Sequence, residues 1–313
     1  MKQKNFFITG ISGCVGHYLF DLFANAPDVR LFLLVRSPEK IAFSYKNNPR
    51  ITIINDSMQH IHKYENLLKE MEYVVHLAVS WGGRQVYTIN VENTLSLLSA
   101  LDSGICRKVI YFSTASILNE NNRLLPQAGE VGTDYIRSKY RCFRQLPELE
   151  IFDKIYTLCP TVILGGDGRH PYSHASKELK KARRYLPFIK FIKIDGSFHF
   201  IHALDAALMV EYLLKNSCPD KVIVPGNPVL SMNECIDQLC RIAGIKRRIA
   251  FDMTKILMRC LPALFKKRMS SWDVYSLRKR HFVYRTTNLK TLGLPSGHDT
   301  LTKCLTSMLK MVT

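Results

Sequence analysis

Apolar residues fall in short, unbroken runs through the first half of the chain. Phe6-Phe7-Ile8 and the stretches 29–35 (VRLFLLV), 51–54 (ITII), 73–79 (YVVHLAV), 108–112 (KVIYF) and 155–158 (IYTL) each read as a buried strand. Between them the period becomes helical. Val15, Leu19, Leu22 and Phe23 mark a helix over 14–24, and Val91, Leu95, Leu98 and Leu101 share a face within 84–103. A third helical pattern covers 134–146. Strands alternating with helices predict the α/β class, a doubly wound parallel sheet covered on both faces. After Pro160 the rhythm breaks into loops, basic helices and short strands. The expected division is therefore 1–160 as the sheet domain and 161–313 as mostly a smaller C-terminal part, with the chain crossing back near 196–225.

Composition adds little to this picture, and charge adds more. The chain has 313 residues, 47% hydrophobic and 22% charged, enough for one large or two closely joined domains. No apolar run approaches the ~20 residues of a membrane span. The first strand begins almost at once, and the expected compartment is the cytoplasm. Nine cysteines without a CxxC pair suit reduced, mostly buried thiols, and no metal site is assigned. The formal charge is +18 and it is local. Between 246 and 290 thirteen Lys/Arg stand against Asp252 and Asp273, and between 177 and 193 seven stand against Glu178. These two segments carry +17 of the total.

Three glycines, Gly10, Gly13 and Gly16, sit in ITGISGCVGHYL, where the first strand turns into the first helix. There the first glycine can take backbone angles denied to other residues, the second lets the chain approach a pyrophosphate on the helix N-terminus, and the third lets helix and strand pack closely. Taken alone the turn suits a structural role as well as a dinucleotide site. Further on, YIRSK sets Tyr135 and Lys139 on one helical face, and a nearby ammonium favours a phenolate. FSTAS places Ser113 and Thr114 at the strand end where ligands of such sheets bind. The plain readings are a surface Tyr/Lys pair and ordinary turn hydroxyls.

The order of these pieces, TGxxGxxG at 9–16, HLA at 76–78, NVENT at 90–94, FSTAS at 112–116 and then YxxxK, resembles the extended short-chain dehydrogenase/reductase superfamily, its NAD-dependent epimerase/dehydratase-like branch. CPTVILGG (159–166), FIHALDAALMV (200–210) and NLKTLGLP (288–295) continue the resemblance over essentially the whole chain. It implies a Rossmann-like doubly wound sheet with a smaller C-terminal substrate-binding part. It also implies that Tyr135 is the catalytic acid/base, that Lys139 holds the nicotinamide ribose while lowering the tyrosine pKa, and that Thr114 orients the substrate oxygen, with Ser113 in reserve. The cofactor positions it implies are Thr9, Gly10, Ser12, Gly13, Cys14, Val15, Gly16, Arg36, Asp56, Ser57, Leu77, Ala78, Asn90, Tyr135, Lys139 and Pro160. Asp56 matches an acid that contacts adenine. Asn90 is equally readable as stabilising a helix start. Arg36 stands where an acid would select NAD, and a guanidinium suits a 2'-phosphate, so NADP is favoured and NAD is the alternative.

The family pattern breaks downstream. Val162 occupies the position where sugar-nucleotide enzymes commonly carry an asparagine, Cys159 replaces an arginine and Leu164 a tyrosine. A less polar pocket favours an NAD(P)-dependent oxidoreductase acting on a carbonyl or alcohol, like the steroid or flavonol dehydrogenases. The alternatives are a nucleotide-sugar epimerase/dehydratase with recycled NAD(P), and a dinucleotide-binding subunit without turnover. The expected partner is a small-molecule substrate, which the basic segments would suit if it were acidic. Met253, Ile256, Leu257, Cys260, Leu261, Leu264 and Phe265 share one helical face, read as a lid on the pocket in preference to a helix lying on an anionic membrane. No nucleic-acid module is present. The helices at 84–103 and 134–146, where family members often pair as homodimers, have apolar positions that fit core packing equally well.

Overall fold

Successive residues of the apolar runs go to opposite sides of one sheet. The computed structural model describes residues 3–247, 251–254 and 269–309. In it the runs form β1 (Lys4–Thr9), β2 (Val29–Leu34), β3 (Ile51–Ile54), β4 (Tyr73–His76), β5 (Lys108–Phe112) and β6 (Ile155–Leu158). Phe6, Ile8, Leu31, Leu33, Val75 and Ile110 pack into one core layer. Their neighbours Phe7, Phe32, Leu34, Val74, Val109 and Tyr111 pack into the other. Both faces are covered, so no alternation with polar residues survives in the sequence. A seventh short strand, Val222–Ile223, joins beside β6, and from that edge the order runs β6, β5, β4, β1, β2, β3. Every pairing in this sheet is parallel. The order reverses between β1 and β4, and ligands of open parallel sheets bind outside the carboxyl ends of the strands at such a switch point.

Helix α1 (Cys14–Phe23) lies on the first layer through Val15, Leu19 and Phe23. The 84–103 pattern is realised differently from one regular helix. A π-helical turn (Thr88–Glu92) leads into α2 (Asn93–Ser99), because Asn90 turns inward to partners described below. Helix α3 (Asp134–Gln145) starts on Thr133, whose side chain accepts from the Ile136 N–H, and has Asp134 in its first turn. Its buried side includes Ile136, Ser138, Lys139 and Cys142.

Past Pro160 the chain weaves. A strand Val162–Leu164 pairs with Phe200–His202 outside the main sheet. Helix α4 (His174–Ala182) follows the first of these, and α5 (Ala203–Lys215) follows the second. The small residues Ala203, Ala206 and Ala207 of α5 share the core layer of α1, so this helix belongs physically to the sheet half, as does the strand Val222–Ile223. Separate cores form around Leu164, Phe200, Leu230, Leu301, Leu305 and Met308, around Trp272 and Tyr284, and around Leu186, Ile236 and Cys240. Apart from Met253 and Thr254, the amphipathic face read over 253–265 lies outside the described residues. The eight described cysteines are free thiols. No helix among the described residues is long and apolar enough to cross a membrane.

Candidate active site

The glycine turn is built around close backbone approach. Gly10 has φ +76°, and a Cβ there would stand 2.6 Å from the Ala78 nitrogen in the segment after β4. A Cβ at Gly16 would stand 2.4 Å from the Ile11 carbonyl oxygen, so this glycine seats the helix on the turn itself and not, as expected, on the strand. Gly13 caps α1 with an ordinary φ of −83° and no side-chain cap. No side chain intercepts the α1 amides at the cap, which leaves them to a bound anion.

The turn forms one end of a cleft of about 820 Å³ that runs along the carboxyl ends of the strands. Of the predicted residues, Gly10, Gly13, Cys14, Val15, Gly16, Leu77, Thr114, Tyr135, Lys139 and Pro160 all line it, as does Ser113. Tyr135 is half-buried. Burial pushes its phenol above its ordinary pKa, and a hydrogen bond with the Thr114 side chain opposes that shift. Thr114 Oγ1 accepts from the Ser116 N–H at 3.3 Å, which leaves its own proton for Tyr135. Lys139 is 1% exposed. Its Nζ donates to the Phe112 carbonyl at 2.7 Å and to Tyr111 Oη at 3.4 Å, and burial lowers its pKa to about 8. At neutral pH the group therefore remains mostly an ammonium. Ser113 is buried and its Oγ has no hydrogen-bond partner.

Other predicted positions lie behind the cleft. Thr9 is fully buried and accepts from the Ala78 N–H, and its Oγ1 lies 2.7 Å from His76 Nδ1. His76 Nε2 lies 3.0 Å from Thr94 Oγ1, and Thr94 donates to the Ile89 carbonyl. This chain requires a neutral imidazole, and burial lowers the His76 pKa to about 3. Thr9 and Ala78 thus weld β1 to β4 beneath the glycine turn. Asn90 accepts from the Ser80 N–H and donates to the Ser80 carbonyl, both at 2.8 Å, and donates to Ser138 Oγ at 2.9 Å. Ser138 in turn donates to the Tyr135 carbonyl at 2.7 Å. The Asn90 amide thus ties the segment after β4 to the tyrosine helix. Ser138 had no signal of its own in the sequence.

The adenosine end is more open. Arg36 is exposed just past β2 and Ser12 is half-buried. Asp56 is engaged by its own neighbours: it pairs with His60 Nδ1 at 2.6 Å and accepts from the Ser57 N–H and Tyr64 Oη. The His60 contact and these donors hold its carboxyl well below the usual carboxylate range. Ser57 caps the next turn by accepting from the Gln59 N–H. None of Arg36, Asp56 or Ser57 lines the cleft.

The rest of the lining is Val162, which the sequence singled out, and aromatic residues that sequence reasoning missed. Trp81, 63% exposed, lies over Tyr135 with ring centroids 4.5 Å apart, and His174 stacks on it at 5.8 Å. Val162, Phe198, Trp272, Phe282 and Tyr284 line the same cleft, and Trp272 and Tyr284 share a core cluster against which Tyr135 and Phe282 pack. His199 fixes this wall, with Nδ1 2.7 Å from the Asn227 carbonyl oxygen and Nε2 accepting from the Tyr284 N–H. These residues come from separate stretches near 81, 174, 198 and 272–284, which left no local pattern to read. The described residues contain no group of His, Cys, Asp or Glu able to hold a metal ion.

Comparison with known proteins bears on this geometry. The model of the NAD dependent epimerase/dehydratase family matches residues 6–225. Comparison with curated protein sequences finds no match. Among solved structures, UDP-N-acetylglucosamine 4-epimerase from Methanobrevibacter ruminantium M1 is 19% identical, with 100% of this chain and 99% of that one covered and a TM-score of 0.69. The terminal R domain of the myxalamid PKS-NRPS biosynthetic pathway is 15% identical, with 100% and 91% covered and a TM-score of 0.72. UDP-glucuronic acid 4-epimerase from Bacillus cereus, solved with NAD, is 17% identical, with 97% of each chain covered and a TM-score of 0.66. The seven-stranded parallel sheet, the glycine turn at its switch point and the family match lead to one conclusion: the chain belongs to the NAD dependent epimerase/dehydratase family, within the extended short-chain dehydrogenase/reductase superfamily.

Proposed function

We propose that this protein is an oxidoreductase that uses a nicotinamide dinucleotide, NADP in preference to NAD, to interconvert a carbonyl and an alcohol on a small, largely apolar substrate. The observation that carries the choice is the wall facing Tyr135. Val162 and the aromatic side chains offer apolar surface where a sugar nucleotide would need polar partners. The cofactor fits the first end of the cleft, because the glycine turn lines it and the α1 cap at Gly13 carries no side chain, which leaves the first helical amides to a pyrophosphate. Bound there, it supplies or accepts a hydride.

This chain's own residues handle the proton. Tyr135, kept protonated by burial, donates from Oη to the substrate oxygen during reduction. Thr114 stabilises the phenolate left behind through the hydrogen bond that already opposes the burial shift. Lys139 adds a positive charge inside the cleft without leaving the Phe112 carbonyl. Arg36, exposed just past the end of β2, would meet a 2'-phosphate there, and its charge supports NADP. The family match and the epimerases among the similar folds support a second reading, in which the hydride returns to the same substrate and no net cofactor is consumed. Absorbance of the reduced nicotinamide separates the two. Stoichiometric loss with apolar ketones or aldehydes is expected, and isomerisation of a sugar nucleotide with no net absorbance change would replace this proposal with the second reading.

A further inference from the structure

Segment 177–193 carries seven of the chain's cations against one acid, and its fold presents them with uncovered aromatic rings. After α4 the chain forms a 3-10 turn (Arg183–Tyr185), a short helix (Leu186–Ile189) and a strand (Ile192–Lys193). Leu186 is buried with Ile236 and Cys240, which turns the other side of that helix outward. There Phe188 is 72% exposed and Tyr185 48%. The strand Phe251–Asp252 pairs with Ile192–Lys193, and the Phe251 N–H donates to the Phe191 carbonyl. This sets Phe251, 66% exposed, beside the partly exposed Phe191.

Cations are interleaved with the rings. The Arg184 guanidinium lies 4.6 Å from the Tyr185 centroid and Lys190 Nζ 4.9 Å from that of Phe191. Lys180, Arg183 and Arg184 rim a shallow hollow with Pro187 and Ile245. Among the described residues, only Lys181 of these seven cations has a carboxylate partner, Glu178. A purely solvated basic face has no use for phenyl rings held in water. A second copy of the same face would set cations against cations, so the occupant is anionic and also accepts apolar side chains.

We propose that this face docks on an anionic lipid bilayer, with Phe188 and Phe251 entering the headgroup boundary and Lys180, Arg183, Arg184 and Lys190 lying among lipid phosphates. Helix α4 joins the face to the cleft, since His174 and Lys177 near its start line the cleft wall. An apolar substrate dissolved in lipid would then be presented next to the site.

Co-sedimentation of the full chain tests this. Vesicles of phosphatidylcholine with about one third phosphatidylserine should bind at least ~10-fold more tightly than phosphatidylcholine alone. That binding should disappear as the Debye length shrinks from ~10 Å at 0.1 M salt to ~3 Å at 1 M. The double variant Phe188→Glu/Phe251→Glu should lose binding by at least ~10-fold with dinucleotide affinity and thermal midpoint unchanged, because both rings are exposed. Arg183→Glu/Arg184→Glu should behave the same way. Failure of the wild type to bind anionic vesicles at 0.1 M salt overturns the proposal. So does undiminished binding of the phenylalanine variant, which would mean ion exchange alone, or binding to soluble polyglutamate as tight as to vesicles, which would mean an acidic macromolecule as partner.

Discussion

The two sides of the cleft are built by different means. One side is a by-product of the sheet: the glycine turn follows β1, Ser113 and Thr114 follow β5, and Tyr135 and Lys139 ride on the helix that covers the same edge. The other side is assembled from Val162, Phe198, Trp272, Phe282 and Tyr284, which arrive from two short strands, a helix (Ser271–Lys279) and a loop spread over more than a hundred residues. On the function proposed above, the first side supplies the proton-handling groups and the anion cradle. The second offers mostly apolar and aromatic surface, with the Tyr284 phenol and the Trp272 indole its polar groups. The difference teaches that reaction type and substrate choice are separable here, and each substitution below asks whether the separation holds.

The largest effect should come from the chemical side. Tyr135→Phe removes one oxygen and keeps the ring under Trp81, so the wall and the cradle are untouched. Turnover should fall by a factor of ~10² to 10⁴, the usual contribution of a positioned proton donor. Dinucleotide affinity, followed by energy transfer from Trp81 and Trp272, should stay within about twofold of wild type, since the substitution leaves the cradle intact. Both tryptophans of the chain line this cleft, which makes the optical signal local. Undiminished turnover would remove Tyr135 from the reaction.

That separation also explains what could be read in advance. Runs such as VRLFLLV announce a strand because both faces are covered, and the spacing of Gly10, Gly13 and Gly16 survives because backbone contact tolerates no side chain at Gly10 or Gly16. Tyr135 and Lys139 were legible because one helix carries both. Asn90 was ambiguous, since a buried amide reaching Ser80 and Ser138 leaves the same letter as one touching a ligand. Trp81, Trp272 and Tyr284 were illegible as a site, because nothing in a local window says that three aromatics will meet across a cleft. The π-helical turn at Thr88–Glu92 was hidden for the same reason, its cause being the Asn90 side-chain bonds and not the apolar period.

Lys139 offers a second test of the chemical side, of order 3 kcal/mol. Its pKa is lowered by burial from 10.5 to about 8. Between these values the unfolded chain binds a proton that the folded chain has released, so stability rises with pH across the window. Below about 8 both states are protonated, and the cost of the buried ammonium is present in full. Lys139→Met removes that dependence. Urea unfolding without added dinucleotide should therefore show the wild type gaining on the variant as pH rises from about 7.5 to 10. A constant difference would mean that the ammonium is not desolvated and that the cleft is wetter than its lining suggests.

Arg36→Asp acts at the far end of the same side. A charged hydrogen bond contributes about 1.5–3 kcal/mol, so losing the guanidinium should weaken NADP by roughly 10-fold or more, while the new carboxylate strengthens NAD by a smaller factor. Titration calorimetry of both dinucleotides against both proteins measures the switch. If the wild type already prefers NAD, Arg36 is only a solvated strand-end residue and the cofactor preference proposed above is wrong.

The smallest effect belongs to the wall and bears most directly on the separation. Val162 is 39% exposed and lines the cleft, so Val162→Asn should cost little stability while putting an amide where the wall is apolar. Burying that amide against an apolar substrate costs roughly 1 kcal/mol, which predicts a KM higher by about fivefold with kcat nearly unchanged. The pattern of the two constants matters more than their size. A fall in kcat at constant KM would mean that Val162 shapes the transition state and that the two sides act as one. A gain of activity on a sugar nucleotide would mean that one wall residue had kept this chain apart from the epimerases whose fold it shares.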